Sequence, residues 1–167
     1  MDDKEVTNKY HLILEQIKRQ IDSFDAKANI LLAISGILST VSVSLLPVTI
    51  KHSTQLSFLI LLVIYTFLLI GSIFSFILVV IPRKRSKKIK KIQTNSNLYY
   101  WDLADAEPSE IRTEIQKVDL YHDDLTKQIK INSMVAKRKH KLLVFGIELL
   151  IVSLLLMFIA IMVHVFV

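Results

Sequence analysis

"SFDAKANILLAISG", residues 23–36, begins in a charged helical pattern and ends inside an apolar run, with no proline and no glycine before Gly36. A domain merely tethered to lipid would carry a flexible linker here. With nothing to break it, the stretch predicts one continuous helix that carries Asp25 and Lys27 and then enters the bilayer.

Three runs confirm that a bilayer is the right solvent. Ala28 to Ile50 is 23 residues without a formal charge, Ser53 to Pro82 is 30, and Leu142 to Val167 is 26 with Glu148 as its one acid. A helix rises about 1.5 Å per residue, so roughly 20 residues cross the hydrocarbon core. Each run is long enough, and hydrophobic residues make up 52% of the 167-residue chain. The fold class is therefore all-α: a membrane protein with three transmembrane helices, two of them extended into a helical cytosolic layer. The first run lies behind several acids, is too long for the apolar region of a signal peptide and lacks a convincing cleavage site, so it is expected to stay. With no cysteine there is neither a disulfide framework nor a thiolate metal site.

Basic residues set the expected topology. Residues 1–28 hold five Lys and Arg, residues 51–56 only Lys51, and residues 83–141 fifteen. Positive charge gathers on the cytoplasmic side, which places the N-terminus and 83–141 in the cytosol. The expected organisation is a cytosolic amphipathic helix over 1–28, spans at 29–50, 57–82 and 142–167, and a basic helical region at 83–141.

Within the first segment Tyr10, Leu14, Ile17, Ile21, Phe24 and Ala28 recur at spacings of three and four. That apolar stripe fits a partner helix better than a lipid surface, because the remaining charges are balanced in sign. Pro47 to Thr54 reads as the turn of an antiparallel hairpin between the first two spans. "RKRSKKIKK", residues 83–91, has seven basic residues in nine and reads as a topology anchor touching anionic lipid. Residues 92–107 read as irregular, with Tyr99, Tyr100 and Trp101 supplying aromatic surface. Pro108 and Glu110 suit a helix start. From there Tyr121, Leu125, Ile129, Asn132 and Ala136 trace a mostly apolar face, and no breaker intervenes before Leu142.

No enzyme motif is legible: there is no HExxH pair, P-loop, GxSxG or glycine-rich dinucleotide turn. The five histidines lack ligand spacing, and His122 beside Asp123 and Asp124 is read as a solvated helix face in preference to a cation site. In the first span Ser35, Ser39 and Ser42 share one face, and Gly71 and Ser75 repeat a small-xxx-small spacing in the second. These residues either pack helices closely or line a water-filled path in an oligomer. Glu148 lies seven residues past Lys141. An ionised acid at the centre of a span costs about 2.5–3.5 kcal/mol, less nearer the interface, so it is protonated and bonded, faces a subunit interface or pore, or snorkels to the boundary. At the cytosolic mouth, Asp25, Lys27 and Asn29 close one charged helix, and Lys137, Arg138, Lys139 and His140 close the other. Such cations hold a phosphate while Trp101 or Tyr100 stacks on a base; the alternative is interfacial aromatics with positive-inside charge.

"DAKANILLAISG" (25–36), "SNLYYWDLA" (96–104) and "MVAKRKHKLL" (134–143), in this order around the spans, resemble the Pycsar transmembrane effector family. In that family an acidic-x-Lys-Ala signature sits at the mouth of the first span, matched here by Asp25, Lys27 and Ala28. The resemblance implies bacterial anti-phage defence: a nucleotide cyclase makes cyclic CMP or cyclic UMP, and the effector responds by impairing the inner membrane. The resulting expectation is a multi-pass inner-membrane effector without cofactor or catalysis, working as a homo-oligomer in the lipid bilayer and with no nucleic-acid partner. Read from the residues themselves and not from the resemblance, Asp25, Lys27, Trp101, Arg138 and Lys139 are the expected nucleotide contacts, and Ser35, Ser39, Ser42 and Glu148 the intramembrane polar positions. The competing expectation is a membrane scaffold that binds a protein partner through residues 92–140.

Overall fold

The computed structural model describes residues 3–52, 56–81 and 118–166. Within them the chain is helical, with three helices long and apolar enough to cross a membrane and no strand among the described residues. Helix α1 spans Asp3–His52, α2 spans Leu56–Val80 and α3 spans Val118–Phe166. The basic run 83–91, the aromatic stretch with Trp101, and Pro108 lie outside the described residues.

Helix α1 carries straight through residues 23–36, as the absence of a breaker requires, and α3 passes from its charged half into Leu142 and beyond in the same way. Both helices are rich in Leu and Lys, which lose little side-chain freedom in a helix. Glu5–Lys9 and Glu15–Arg19 add ion pairs of 2.8 and 2.6 Å with the acid on the N-terminal side, each worth about 0.3 kcal/mol at an exposed surface. The expected turn at Pro47 does not form there: α1 runs on to His52. Inside an apolar span, ending a helix strands several backbone groups without water. That penalty outweighs the single N–H that a proline lacks.

The chain divides into two compact units. The first comprises Met1–Ser23 and Pro82–Arg138, the second Phe24–Ile81 and Lys139–Val167. In the first unit, Leu14 from α1 and Leu125, Ile131 and Ala136 from α3 are buried. The Thr7 hydroxyl lies 2.9 Å from His122 Nε2, and the Tyr10 ring packs on the same imidazole with centroids 5.7 Å apart. Of the stripe on α1, Leu14 is buried and Tyr10, Ile17 and Ile21 are half-buried, so it is the inward face. On α3, burial reaches further round than the expected face, taking in Ile131 and Asp124, whose carboxylate stands 3.8 Å from Lys127. A cation at that distance offsets part of the cost of burying an acid.

The second unit is the membrane-embedded part. Ala28, Tyr65, Leu69, Phe76, Val79, Leu143 and Leu150 form its core. Between α2 and α3 the Ser72 hydroxyl donates to the Gly146 carbonyl at 2.8 Å, and the Ser75 hydroxyl donates to the Leu142 carbonyl at 2.7 Å. The falling partner numbers show that α2 runs antiparallel to α3. A Cβ added at Gly146 would stand 2.6 Å from Phe76 Cε1. Only glycine lets that ring lie against the backbone of α3.

Candidate functional site at the polar boundary

Charged sequence gives way to apolar sequence after Lys27 on α1 and after Lys141 on α3, and the second unit joins Asp25 and Lys139, each two residues before that change. Lys139 Nζ donates to both carboxylate oxygens of Asp25, at 2.7 Å to Oδ2 and closer to Oδ1. Lys139 is only 7% exposed. A buried ammonium needs a carboxylate, and a bidentate arrangement supplies the charge and the acceptors together.

Helix geometry explains the residues around the pair. Positions three apart share a face, so Ala28 lies on the Asp25 side of α1 and is fully buried in the core with Leu143. Its single methyl lets the helices close just below the ion pair. Lys27, two residues from Asp25, points the other way and is exposed. The Phe24 ring packs on His140 with centroids 5.4 Å apart, using the residue just before Asp25 on α1 and the one just after Lys139 on α3.

Of the expected nucleotide contacts, then, Asp25 and Lys139 are brought together, as partners of each other. Lys27 and Arg138 are exposed, and Trp101 lies outside the described residues. The two signals that pair Asp25 with Lys139 were both visible in sequence, an acid and a base each at a span's polar end. What sequence lacked was the register that sets them level. Among the described residues no cluster of three or more His, Asp and Glu has metal-site geometry.

The serine row of α1 closes mainly on its own chain. Ser35 is fully buried, and Ser35, Ser39 and Ser42 donate to the carbonyls of Leu31, Ser35 and Leu38 at 2.8, 2.8 and 2.6 Å. Ser42 Oγ also meets the Tyr65 hydroxyl at 2.5 Å. Because the serine proton goes to Leu38, the tyrosine must be the donor in that contact. The residues that sequence reading passed over are Ser72, Tyr65 and Phe76; the short spacing of Ser72 and Ser75 was the available signal for the first.

Glu148 is the opposite case. It is exposed, on the outward side of α3, and has no hydrogen-bond or ion-pair partner among the described residues.

Three spans, all helical, with the first and third running unbroken out of polar segments, define a multi-pass membrane protein. The family model of the Pycsar effector protein domain matches residues 10–165, and the chain belongs to that family. Membership gives it a role in Pycsar anti-phage defence, linked to cyclic-nucleotide signalling and to the membrane. Neither a curated protein nor a solved structure matches the chain.

Proposed function

We propose that this protein is the membrane-acting effector of a Pycsar system: it responds to cyclic CMP or cyclic UMP and impairs the bacterial inner membrane as an oligomer. The N-terminus and the 83–141 region face the cytoplasm in this reading, following the five, one and fifteen distribution of Lys and Arg. It needs no catalysis, since the nucleotide comes from a separate cyclase. The observation that carries it is the continuity of α1 and α3 through the polar boundary in a chain of this family.

Asp25, Lys27, Trp101, Arg138 and Lys139 are the proposed nucleotide contacts. Lys139 is already neutralised by Asp25, so a phosphate that engages it must compete with that carboxylate. Lys27 and Arg138 are exposed and offer charge without such competition. A ligand shifts the spans only by binding one arrangement of them better than another. Displacing Asp25 from Lys139 is a difference of that kind, because it releases a contact between the two membrane-continuous helices.

The test is dye release from liposomes containing the purified full chain, titrated with cyclic CMP, cyclic UMP and cyclic AMP. Release with a cyclic pyrimidine and none with cyclic AMP is expected. Silence toward all three, in protein that remains folded, overturns the reading and favours the scaffold that binds a protein through residues 92–140.

A further inference from the structure

Two outward faces of the membrane-embedded unit carry polar groups that find no partner on another helix among the described residues. On α3, Lys141, Val144, Glu148, Val152 and Leu155 fall on one side and all are exposed. On α1, Asn29, Ala33, Gly36, Thr40 and Ser44 recur every three or four residues, and all of these are exposed too. A Cβ at Gly36 would meet nothing within 4 Å, so a notch opens there. The Thr40 hydroxyl turns back to the Gly36 carbonyl at 3.0 Å. Asn29, like Glu148, has no hydrogen-bond partner among the described residues.

The two faces lie at matching depth. Asp25 and Lys139 are level because they are bonded. Ser42 lines one cavity with Met157, Ala160 and Ile161 further along, so α1 and α3 run parallel and advance at nearly the same depth. Glu148, nine positions beyond Lys139, therefore sits at the level of Ile34, between Asn29 and Gly36. Side chains on both helices lean toward the same N-terminal end, so the carboxyl keeps its depth beside the Ala33–Gly36 stretch of α1.

We propose that the chain assembles with copies of itself by a heterologous contact: the Glu148 face of α3 on one copy seats in the Asn29–Ala33–Gly36 notch of α1 on the next. This deepens the oligomer in the functional reading and rests on it. The occupant is a second copy because one chain supplies both halves at the same depth, an outward-facing carboxyl on α3 and an open small-residue notch at Ala33 and Gly36 on α1. Small residues let the backbones approach, and a carboxyl facing lipid gains a bonding partner only through such an approach. Since the two faces differ, the contact propagates around a ring and does not end at a dimer.

The absence of cysteine makes cross-linking clean. Chains carrying Gly36→Cys and Val152→Cys, with different tags, are co-expressed and oxidised in membranes without nucleotide. The expected product joins position 36 of one chain to position 152 of another, and a chain bearing both substitutions gives a ladder beyond the dimer. Adding Glu148→Ala lowers the yield about fivefold, whereas Glu148→Gln, which still hydrogen-bonds, keeps it within about twofold. Cross-links only between like positions, or none from folded protein, overturn the proposal. Because no nucleotide is used, cross-linking in protein that never leaks would sink the functional reading alone, and leakage without the 36–152 product would sink this contact alone.

Discussion

The seam between α2 and α3 and the outer flank of α1 use the same residue types, glycine with hydroxyls, to opposite ends. At the seam, Ser72 and Ser75 reach across to α3 carbonyls, and Gly146 is filled by the Phe76 ring. On the flank, Thr40 and Ser44 turn back to carbonyls of their own helix at 3.0 and 2.8 Å, and Gly36 faces open space. Helices α2 and α3 are thus locked by steric fit and cross-helix bonds. Helix α1 is held by the Asp25–Lys139 pair, the Ser42–Tyr65 hydroxyl contact and apolar packing. The difference teaches which part of the bundle has room to rearrange. If the spans shift when the protein acts, α1 is the helix whose contacts yield, while α2 and α3 move as one piece.

The strongest way to break this contrast is to put a methyl on each glycine. Gly146→Ala drives a Cβ to within 2.6 Å of Phe76 Cε1 and 2.9 Å of Cδ1. Forcing that ring aside costs about 1–3 kcal/mol, and Gly146→Leu costs more. Phe76→Leu in the same chain should restore much of the loss. At Gly71 the nearest atom, Leu149 Cδ1, is 3.4 Å away, so alanine there should be close to neutral. Gly36→Ala meets no atom, and relief of backbone entropy makes it neutral or stabilising by up to about 1 kcal/mol. Thermal unfolding in detergent gives the three values. Equal melting temperatures for Gly146→Ala and Gly36→Ala would erase the distinction between the two regions.

A smaller effect is expected at the boundary ion pair. Removing Lys139 leaves Asp25 with about a third of its side chain exposed, so water offsets part of the lost partner. Removing Asp25 leaves an ammonium whose side chain is 9% exposed, which is the harsher change. Asp25→Ala should therefore destabilise more than Lys139→Ala, by up to about 3 kcal/mol, the low end for a buried pair broken on one side. The double variant should be less unstable than the sum of the two. A coupling energy near zero in this cycle would show that the pair does not fasten α1 to α3.

How far sequence carried these conclusions follows from what each depends on. Spans depend on length and polarity, both local, so the three helices and their unbroken entry into lipid were legible, as was the inward stripe on the charged half of α1. The end of α1 is not legible locally, because proline's own preference is for a turn while the apolar surroundings keep Pro47 in a helix. Asp25 and Lys139 were each singled out as ligand contacts, yet their bond to one another depends on register between helices 114 residues apart in sequence. No periodicity encodes that. The same gap hid the seam: Ser75 was noticed for its spacing to Gly71, while its partner, the Leu142 carbonyl, carries no residue-type signal at all. Glu148 was legible as an anomaly, but only three dimensions show that it points away from the bundle.

The mildest substitutions sharpen the contrast furthest, because they separate hydrogen bonding from shape. The Gly146 and Leu142 carbonyls lie inside α3 and already accept the backbone N–H groups four residues on. Ser72→Ala and Ser75→Ala therefore remove a second, supplementary donor and leave no buried group stranded. Each should cost about 0.6 kcal/mol, and no more than about 1.7. Thr40→Ala on the α1 flank, whose hydroxyl bonds only to its own helix, should cost less than either. Should the Ser72→Ala, Ser75→Ala double variant exceed the loss from Gly146→Ala, hydroxyl bonding and not the Gly146–Phe76 fit would be what clamps α2 to α3. The seam would then differ from the flank in where its hydroxyls point, with its glycine incidental.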